Sequence, residues 1–285
     1  MEEKFKEKIS WTLSILDTID FLAWRTKQLL GVSKTQMKEI SKLAEKNIEL
    51  KKEDVEKIKE INSKWLTPDQ AMYKLRFFSE DYLNKEFDIF MNLVSNRYKN
   101  TLYSKIFNLK KGKWNSYGNG ASFKELINNI DKLPNEVQMD NLVYDYENQV
   151  LIANELKLGA EKNEYQILKY SYLFLKLKEY NLVAKNTKFY LLFWTIDKKE
   201  INNNVLEEEI SKLKDEKKKD FLTNNDILSN SQTIIFGNIL WKDFIEFNEG
   251  FLNSLDSEKQ ETEIKLIEGL NNSLKEKKLI KKTMA

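Results

Sequence analysis

The pattern of apolar and charged residues in the first 109 residues of the chain is typical of helices, with a Lys- and Glu-rich segment between Gly31 and Pro68 that suits a solvated helix face. These 109 residues contain one glycine and one proline, Gly31 and Pro68, and both fall where one predicted helix gives way to the next. Apolar density rises between residues 71 and 107, as expected of helices that pack on a core. We therefore predict a helical N-terminal region over residues 1–109.

Helix and strand patterns alternate in the middle of the chain, over residues 110–250. The first two predicted strands lie before residue 158. Two more are predicted at 188–196 and 233–240, where the apolar run is too short for an ordinary helix. The predicted helices are 122–132, 160–180, a charged insertion at 197–222 and 241–255. This order predicts an α/β (α+β) core with a mixed sheet flanked by helices. Residues 251–285 are predicted to form a C-terminal helix and a basic tail.

The first two strands form a predicted hairpin that gathers charged side chains. If Glu147 and Asn148 make a two-residue loop, paired positions sum to 295 and Asp140 lies opposite Glu155. Directly opposed residues share one face of a sheet, and so do residues two apart on one strand. Asp140, Glu155 and Lys157 are therefore expected to point the same way. Because Glu-Asn is not a favoured hairpin turn, an offset of one residue, corrected by a bulge, stays open.

A glycine-rich basic segment separates the helical region from the core. Residues 110–120 hold three lysines and two aromatic residues, which are Lys110, Lys111, Lys113, Trp114 and Tyr117. A mobile loop of this composition is suited to holding phosphates and to stacking on nucleic-acid bases. The alternative is an ordinary surface loop between domains.

The composition restricts the chemistry that these residues can carry out. The chain contains no histidine and no cysteine, which excludes a Ser-His-Asp triad, a cysteine nucleophile and a Cys/His zinc site. Carboxylate oxygens remain, and these favour Mg²⁺ or Mn²⁺. Two carboxylates that hold such a cation can activate water beside a phosphodiester, and a lysine can position or deprotonate that water. The alternative is a solvent-facing hairpin in which Glu155 and Lys157 form a surface ion pair.

Charge and hydropathy add weaker expectations. The formal net charge is +2, and only three of the 47 basic residues are arginine (Arg25, Arg76 and Arg97), so lysine richness alone is weak support for nucleic-acid binding. No apolar run approaches the roughly 20 residues that span a bilayer, and the N-terminal residues lack a signal-peptide pattern. We expect a cytoplasmic protein with no membrane segment.

The order of these residues resembles that of a known family. Asp140, then Glu155-Leu156-Lys157 at the end of an apolar strand, then a helix that carries Gln166, is similar to the PD-(D/E)XK nuclease superfamily over about residues 120–245. The resemblance implies a restriction-endonuclease-like mixed sheet, with Asp140 and Glu155 as Mg²⁺ (or Mn²⁺) ligands and Lys157 as the catalytic lysine. Gln166 matches a glutamine that many members place near the active site.

The same resemblance implies a further acid from a helix before the first core strand. Glu125 is one candidate, although its spacing from Ser122 also fits a capping box, and Glu136 is the other. Two positions depart from the family pattern. Met139 stands where the family name has proline, and Asn141 follows the acid where an apolar residue is commoner.

Two classes of function follow. The first is a metal-dependent DNA endonuclease of restriction or defence, whose N-terminal helices contact the target or form a homodimer. The second is a catalytically silent nuclease-like scaffold or adaptor. The intact Asp140, Glu155 and Lys157 favour the first class, and a nuclease of RNA or of branched DNA stays open beside it.

Overall fold

The fold is taken from a computed structural model, which describes residues 53, 56, 80–118, 140–158, 166–196, 204–212 and 225–277. From residue 80 onward the described helices are α1 (Glu80–Leu93), α2 (Asn96–Phe107), α3 (Gln166–Glu179), α4 (Asn204–Lys212), α5 (Asn225–Ser231), α6 (Trp241–Leu252) and α7 (Glu261–Glu276). The strands are β1 (Trp114–Gly118), β2 (Asn141–Asp145), β3 (Val150–Leu156), β4 (Lys188–Thr195) and β5 (Ile235–Leu240). None of the described helices combines the length and apolar character that a membrane span requires. The predicted helix 122–132 lies outside the described residues.

The five strands form one mixed sheet in the order β1-β2-β3-β4-β5. β1, β2 and β3 are antiparallel neighbours, whereas β3, β4 and β5 run parallel. Parallel neighbours need a crossover connection. In chain order, α3 comes between β3 and β4, and α4 and α5 come between β4 and β5. The predicted α/β core with a mixed sheet flanked by helices is therefore confirmed.

The register of β2 against β3 matches the predicted one. Paired positions sum to 295 along the whole ladder, from Asn141 with Asn154 to Asp145 with Val150. The turn is longer than predicted, because it covers residues 146–149 and not two residues. Asp145 accounts for the difference, since its Oδ1 accepts hydrogen bonds from two backbone N–H groups of the turn, at 3.0 and 3.3 Å.

Side chains of the central strand alternate between two cores, one on each face of the sheet. Leu151 and Ala153 pack with α3 and α5 on one face. Val150, Ile152 and Leu156 face the other way and pack with α1, α2, α6 and α7. Every residue of β3 is buried, as expected of a strand covered on both faces. The described parts of the predicted N-terminal region and of the tail thus share a core with the sheet.

Residues 114–118 form strand β1, so the prediction of a mobile loop over 110–120 is wrong in this part. β1 pairs with β2 along its whole length, which the glycine-rich composition concealed. Trp114 and Tyr117 are 3% and 4% exposed and belong to the two cores. Neither ring is therefore placed to stack on a nucleic-acid base.

Lys99 on α2 is a buried lysine away from the charged residues singled out above. It is 5% exposed, and no described group forms an ion pair or hydrogen bond with its ammonium. Burial lowers its pKa to about 8. The Lys99→Met variant is expected to raise the free energy of unfolding at pH 7 by roughly 3 kcal/mol, because the folded state no longer has to bury a charge that the unfolded chain solvates.

The gain from Lys99→Met is expected to shrink as the pH rises from about 8 to about 10.5, where the unfolded chain also loses the proton. Urea unfolding of both proteins across this pH range measures the difference. Lys242→Met is the control, since Lys242 is exposed on α6, and it is expected to change little at any pH. A gain that is independent of pH would show that the effect comes from packing and not from charge.

Candidate active site

Asp140 lies at a bend immediately before β2, next to the end of β3. Its Oδ2 accepts a hydrogen bond from the backbone N–H of Leu156 at 2.8 Å, and its Oδ1 accepts one from Nδ2 of Asn84 on α1 at 2.6 Å. The last pair of the β2–β3 ladder is Asn141 with Asn154, so the N–H of Leu156 has no backbone acceptor on β2. The carboxylate of Asp140 replaces that acceptor and is thereby fixed beside the end of β3.

Glu155 is the penultimate residue of β3 and is 4% exposed. Its side chain lies on the face of the sheet that α3 covers. Nε2 of Gln166 donates a hydrogen bond to Oε1 of Glu155, and the hydroxyl of Tyr170 donates one to Oε2 at 2.5 Å. Gln166 and Tyr170 stand four residues apart on α3 and share one helix face, so both reach the same carboxylate. Gln166 therefore lies beside Glu155, where the resemblance places it.

Lys157 follows β3 directly, and its backbone is held on both sides. Its N–H donates to the carbonyl of Trp194 at 2.9 Å, and its own carbonyl accepts a hydrogen bond from Nε1 of Trp241 at 2.8 Å. The ammonium of Lys157 forms an ion pair with Oε1 of Glu155 at 2.7 Å and lies 3.8 Å from Oε2 of Glu80. These contacts place the buried ammonium next to the carboxylates.

The cluster holds more negative than positive charge, around the buried side chains of Glu155 and Lys157. Burial raises the pKa of Asp140 well above its ordinary value, Glu155 and Glu80 raise it further, and the ammonium of Lys157 and a backbone N–H oppose the rise. Burial lowers the pKa of Lys157, but the neighbouring acids outweigh this effect and raise it overall. Burial and the charge of Glu155 also raise the pKa of Tyr170, so its hydroxyl stays protonated and donates. Three carboxylates thus face one ammonium.

Two residues at the start of α1, Glu80 and Asn84, belong to this cluster and are missing from the set predicted by sequence. Oε1 of Glu80 accepts a hydrogen bond from a backbone N–H just after β3 at 3.2 Å, and Oε2 faces Lys157. The sequence had instead suggested Glu125 or Glu136 as the further acid, and both lie outside the described residues. In the sequence, Glu80 is recognisable as an acid at the start of an apolar helix. This pattern does not indicate which strand the helix packs against.

The donor groups of the cluster fit a hard divalent cation. Two buried side-chain oxygens beside the carboxylates, Oδ1 of Asn84 and Oε1 of Gln166, have no hydrogen-bond partner among the residues that the structure describes. Such acceptors are rare in folded proteins and call for a donor or a cation. Within the part of the chain that the structure describes, no group of three or more acids is arranged around one metal position. Asp140 and Glu155 are two carboxylates, a number that Mg²⁺ commonly combines with water and phosphate oxygens.

A buried polar network fixes β2 against β3 behind the acids. Nδ2 of Asn154 donates to Oδ1 of Asn141 at 2.9 Å and to the hydroxyl of Tyr103 at 3.2 Å. Nε1 of Trp194 donates to Oδ1 of Asn154 at 3.0 Å, and Nδ2 of Asn141 donates to Oδ1 of Asp88 at 3.0 Å. A slip of one residue would break these bonds and move the acids to opposite faces of the sheet. Asn141, which departs from the family pattern, is therefore a structural member of this network.

The basic segment before β1 lies at the other end of the sheet. Trp114 pairs with Asp145, whereas Asp140 precedes the opposite end of β2. The basic side chains of the segment are exposed, and they are Lys110, Lys111 and Lys113. The structure therefore brings Asp140, Glu155, Lys157 and Gln166 together and leaves these lysines apart from them.

Comparison with known proteins adds no relative. No protein-family model, no curated protein and no solved structure matches the chain. The function is therefore inferred from the geometry of the cluster and from the resemblance of its residues to a family pattern.

Proposed function

We propose that this protein is a metal-dependent nuclease that hydrolyses DNA phosphodiester bonds, with the active-site arrangement of the PD-(D/E)XK superfamily. The observation that carries the proposal is the convergence of Asp140, Glu155 and Lys157 at one end of β3, where Glu155 and Lys157 are buried and Asp140 is half-buried. The choice of DNA, and of an endonuclease that serves restriction or defence, follows from the family resemblance.

Asp140 and Glu155 are the residues that would hold Mg²⁺ (or Mn²⁺). Such a cation lowers the pKa of the attacking water and neutralises the charge that builds on the phosphate. The N–H of Leu156 fixes Asp140, and Gln166 and Tyr170 fix Glu155, so both carboxylates are positioned in advance. Positioning the ligands in advance reduces the entropy that binding removes.

Lys157 is placed to act on the phosphate or on the attacking water. Its raised pKa keeps the ammonium protonated, so it donates toward negative charge that develops on the phosphate. Glu80 marks the accessible side of the cluster, because its side chain is 43% exposed whereas that of Lys157 is 7% exposed. Substrate is therefore expected to approach past Glu80.

Incubation of the purified protein with plasmid, linear, single-stranded and branched DNA and with RNA tests the proposal. We expect DNA cleavage that requires Mg²⁺ or Mn²⁺ and that EDTA abolishes. Cleavage of RNA alone, or of branched DNA alone, would keep the chemistry and replace the substrate. Cleavage that survives EDTA would overturn the metal mechanism, and failure to cleave any of these nucleic acids with either metal would favour the scaffold role.

A further inference from the structure

A cavity of about 330 Å³ lies at the end of the sheet opposite to Asp140 and Glu155. It is bounded by the end of α2, the segment that leads into β1 and the first residues of β3 and β4. Its volume is within the range of small-molecule sites, about 300–1,000 Å³. Val150 lines the cavity, and Glu155 stands five residues further along β3, which is about 17 Å at roughly 3.3 Å per residue. The cavity is therefore separate from the candidate active site.

Tyr190 supplies the cavity with an aromatic wall and an unused hydroxyl. The residue is 6% exposed, and its ring lies edge to face with that of Phe107, with the ring centroids 4.8 Å apart. Within the described residues, no group forms a hydrogen bond with the Tyr190 hydroxyl. The hydroxyl oxygen itself is accessible to solvent, so it can reach a ligand in the cavity without displacing a protein partner. Burial raises the pKa of Tyr190, so the hydroxyl is protonated and free to donate to a ligand.

The charged groups of the cavity that can still bind a ligand are positive. Lys110 and Lys188 line it, both are exposed, and no described carboxylate forms an ion pair with either of them. Asp145 also lines the cavity, but its Oδ1 accepts hydrogen bonds from three backbone N–H groups and its Oδ2 accepts one from Nδ2 of Asn148. The carboxylate is thus engaged by the protein, whereas the two ammonium groups remain available to an anion.

We propose that this cavity binds a nucleoside monophosphate group. The base stacks on one ring of the Phe107–Tyr190 pair and meets the edge of the other, because the two rings are inclined at 61° and planar ligands stack well on aromatic side chains. The phosphate pairs with Lys110 and Lys188, two cations at the cavity that form no ion pair with any described residue. The group is either a free mononucleotide or the phosphorylated end of a strand. This site does not depend on the proposed nuclease function, since it uses none of the residues of the acid cluster.

Isothermal titration of the full chain with AMP, in EDTA so that no divalent cation takes part, tests the site. We expect one AMP per chain, with adenosine and ribose 5-phosphate each bound at least about tenfold more weakly, since each lacks one recognised group. Tyr190→Phe removes only the hydroxyl and is expected to weaken AMP binding by roughly three- to tenfold. Lys188→Gln is expected to weaken binding of AMP but not of adenosine.

Two exposed residues outside the cavity provide matched controls. Tyr180→Phe and Lys185→Gln change the same chemical groups outside the cavity and are expected to leave AMP binding unchanged. Competition by a 5′-phosphorylated oligonucleotide as strong as that by AMP would assign the site to a strand end, and weaker competition would assign it to the free nucleotide. Absence of AMP binding at millimolar concentration, or equal effects of cavity and control variants, would overturn the proposal.

Discussion

The Asp140→Asn variant is expected to cleave DNA about 10³-fold more slowly than the wild type in Mg²⁺, a loss of about 4 kcal/mol of transition-state stabilisation. The folded structure is expected to survive this change. The new amide keeps an oxygen that can accept from the N–H of Leu156, and its NH₂ can donate to the unpartnered Oδ1 of Asn84 once that amide rotates. The substitution also removes one of the like charges that crowd the cluster. The metal-free variant is therefore expected to be at least as stable as the wild type.

Cleavage rates in Mg²⁺ and urea unfolding in EDTA measure these two effects separately. Added Mg²⁺ is expected to stabilise the wild type against unfolding and to leave Asp140→Asn unaffected, because only the former binds the cation in its native state. Asp243→Asn changes an exposed acid on α6 and is expected to alter neither quantity appreciably. A variant with undiminished cleavage would remove Asp140 from the metal site. If Asp140→Asn were less stable than the wild type in EDTA, this result would contradict repulsion between the acids.

The second large effect is expected from Lys157→Met, which keeps a long apolar side chain and removes the ammonium. Loss of a residue that donates to the phosphate or positions the water is expected to slow cleavage by about 10²–10⁴-fold. Unlike Asp140→Asn, this change is expected to destabilise the protein, by about 3–5 kcal/mol, because it leaves Glu155 buried without its cation. Cleavage assays and urea unfolding of the same preparations provide both values.

A double-mutant cycle with Glu155→Gln tests the source of that loss of stability. When residue 155 is neutral, removal of the Lys157 ammonium is expected to cost less, with a coupling energy of about 1–3 kcal/mol. Lys265→Met is the control, because it breaks an exposed ion pair with Glu261 at 2.5 Å and is expected to cost at most about 1 kcal/mol. Equal costs of Lys157→Met in both backgrounds would show that the ion pair does not stabilise the fold.

The hairpin that carries the acids could be predicted from the sequence because its determinants are local. Asp140 and Glu155 are only fifteen residues apart, and strand alternation limits the face on which each can lie. The length of the turn could not be predicted, since the side chain of Asp145 organises it. β1 was missed because its pairing partner, and not its composition, makes it a strand.

The contributions of α1 to the cluster had no comparable signal. Asn84 reaches Asp140 across 56 positions of the chain, through the packing of α1 on the sheet. Nothing in the local pattern of α1 specifies which strand end it meets, and the same pattern suits any core-facing helix. One candidate for the further acid was therefore Glu125, which lies on the predicted helix that precedes the first core strand. In the structure, Glu80 is the acid that lies next to Lys157.

The two backbone hydrogen bonds to acidic side chains at the end of β3 differ in the length of chain they enclose. Leu156 to Asp140 spans 16 positions, whereas Leu158 to Glu80 spans 78. For a flexible chain, the longer loop costs about 1.4 kcal/mol more closure entropy than the shorter one. Contacts of short sequence separation also form faster. Folding therefore favours closure of the hairpin that joins Asp140 and Glu155 first, and α1 then adds its acid and its amide to carboxylates that already lie at one end of β3.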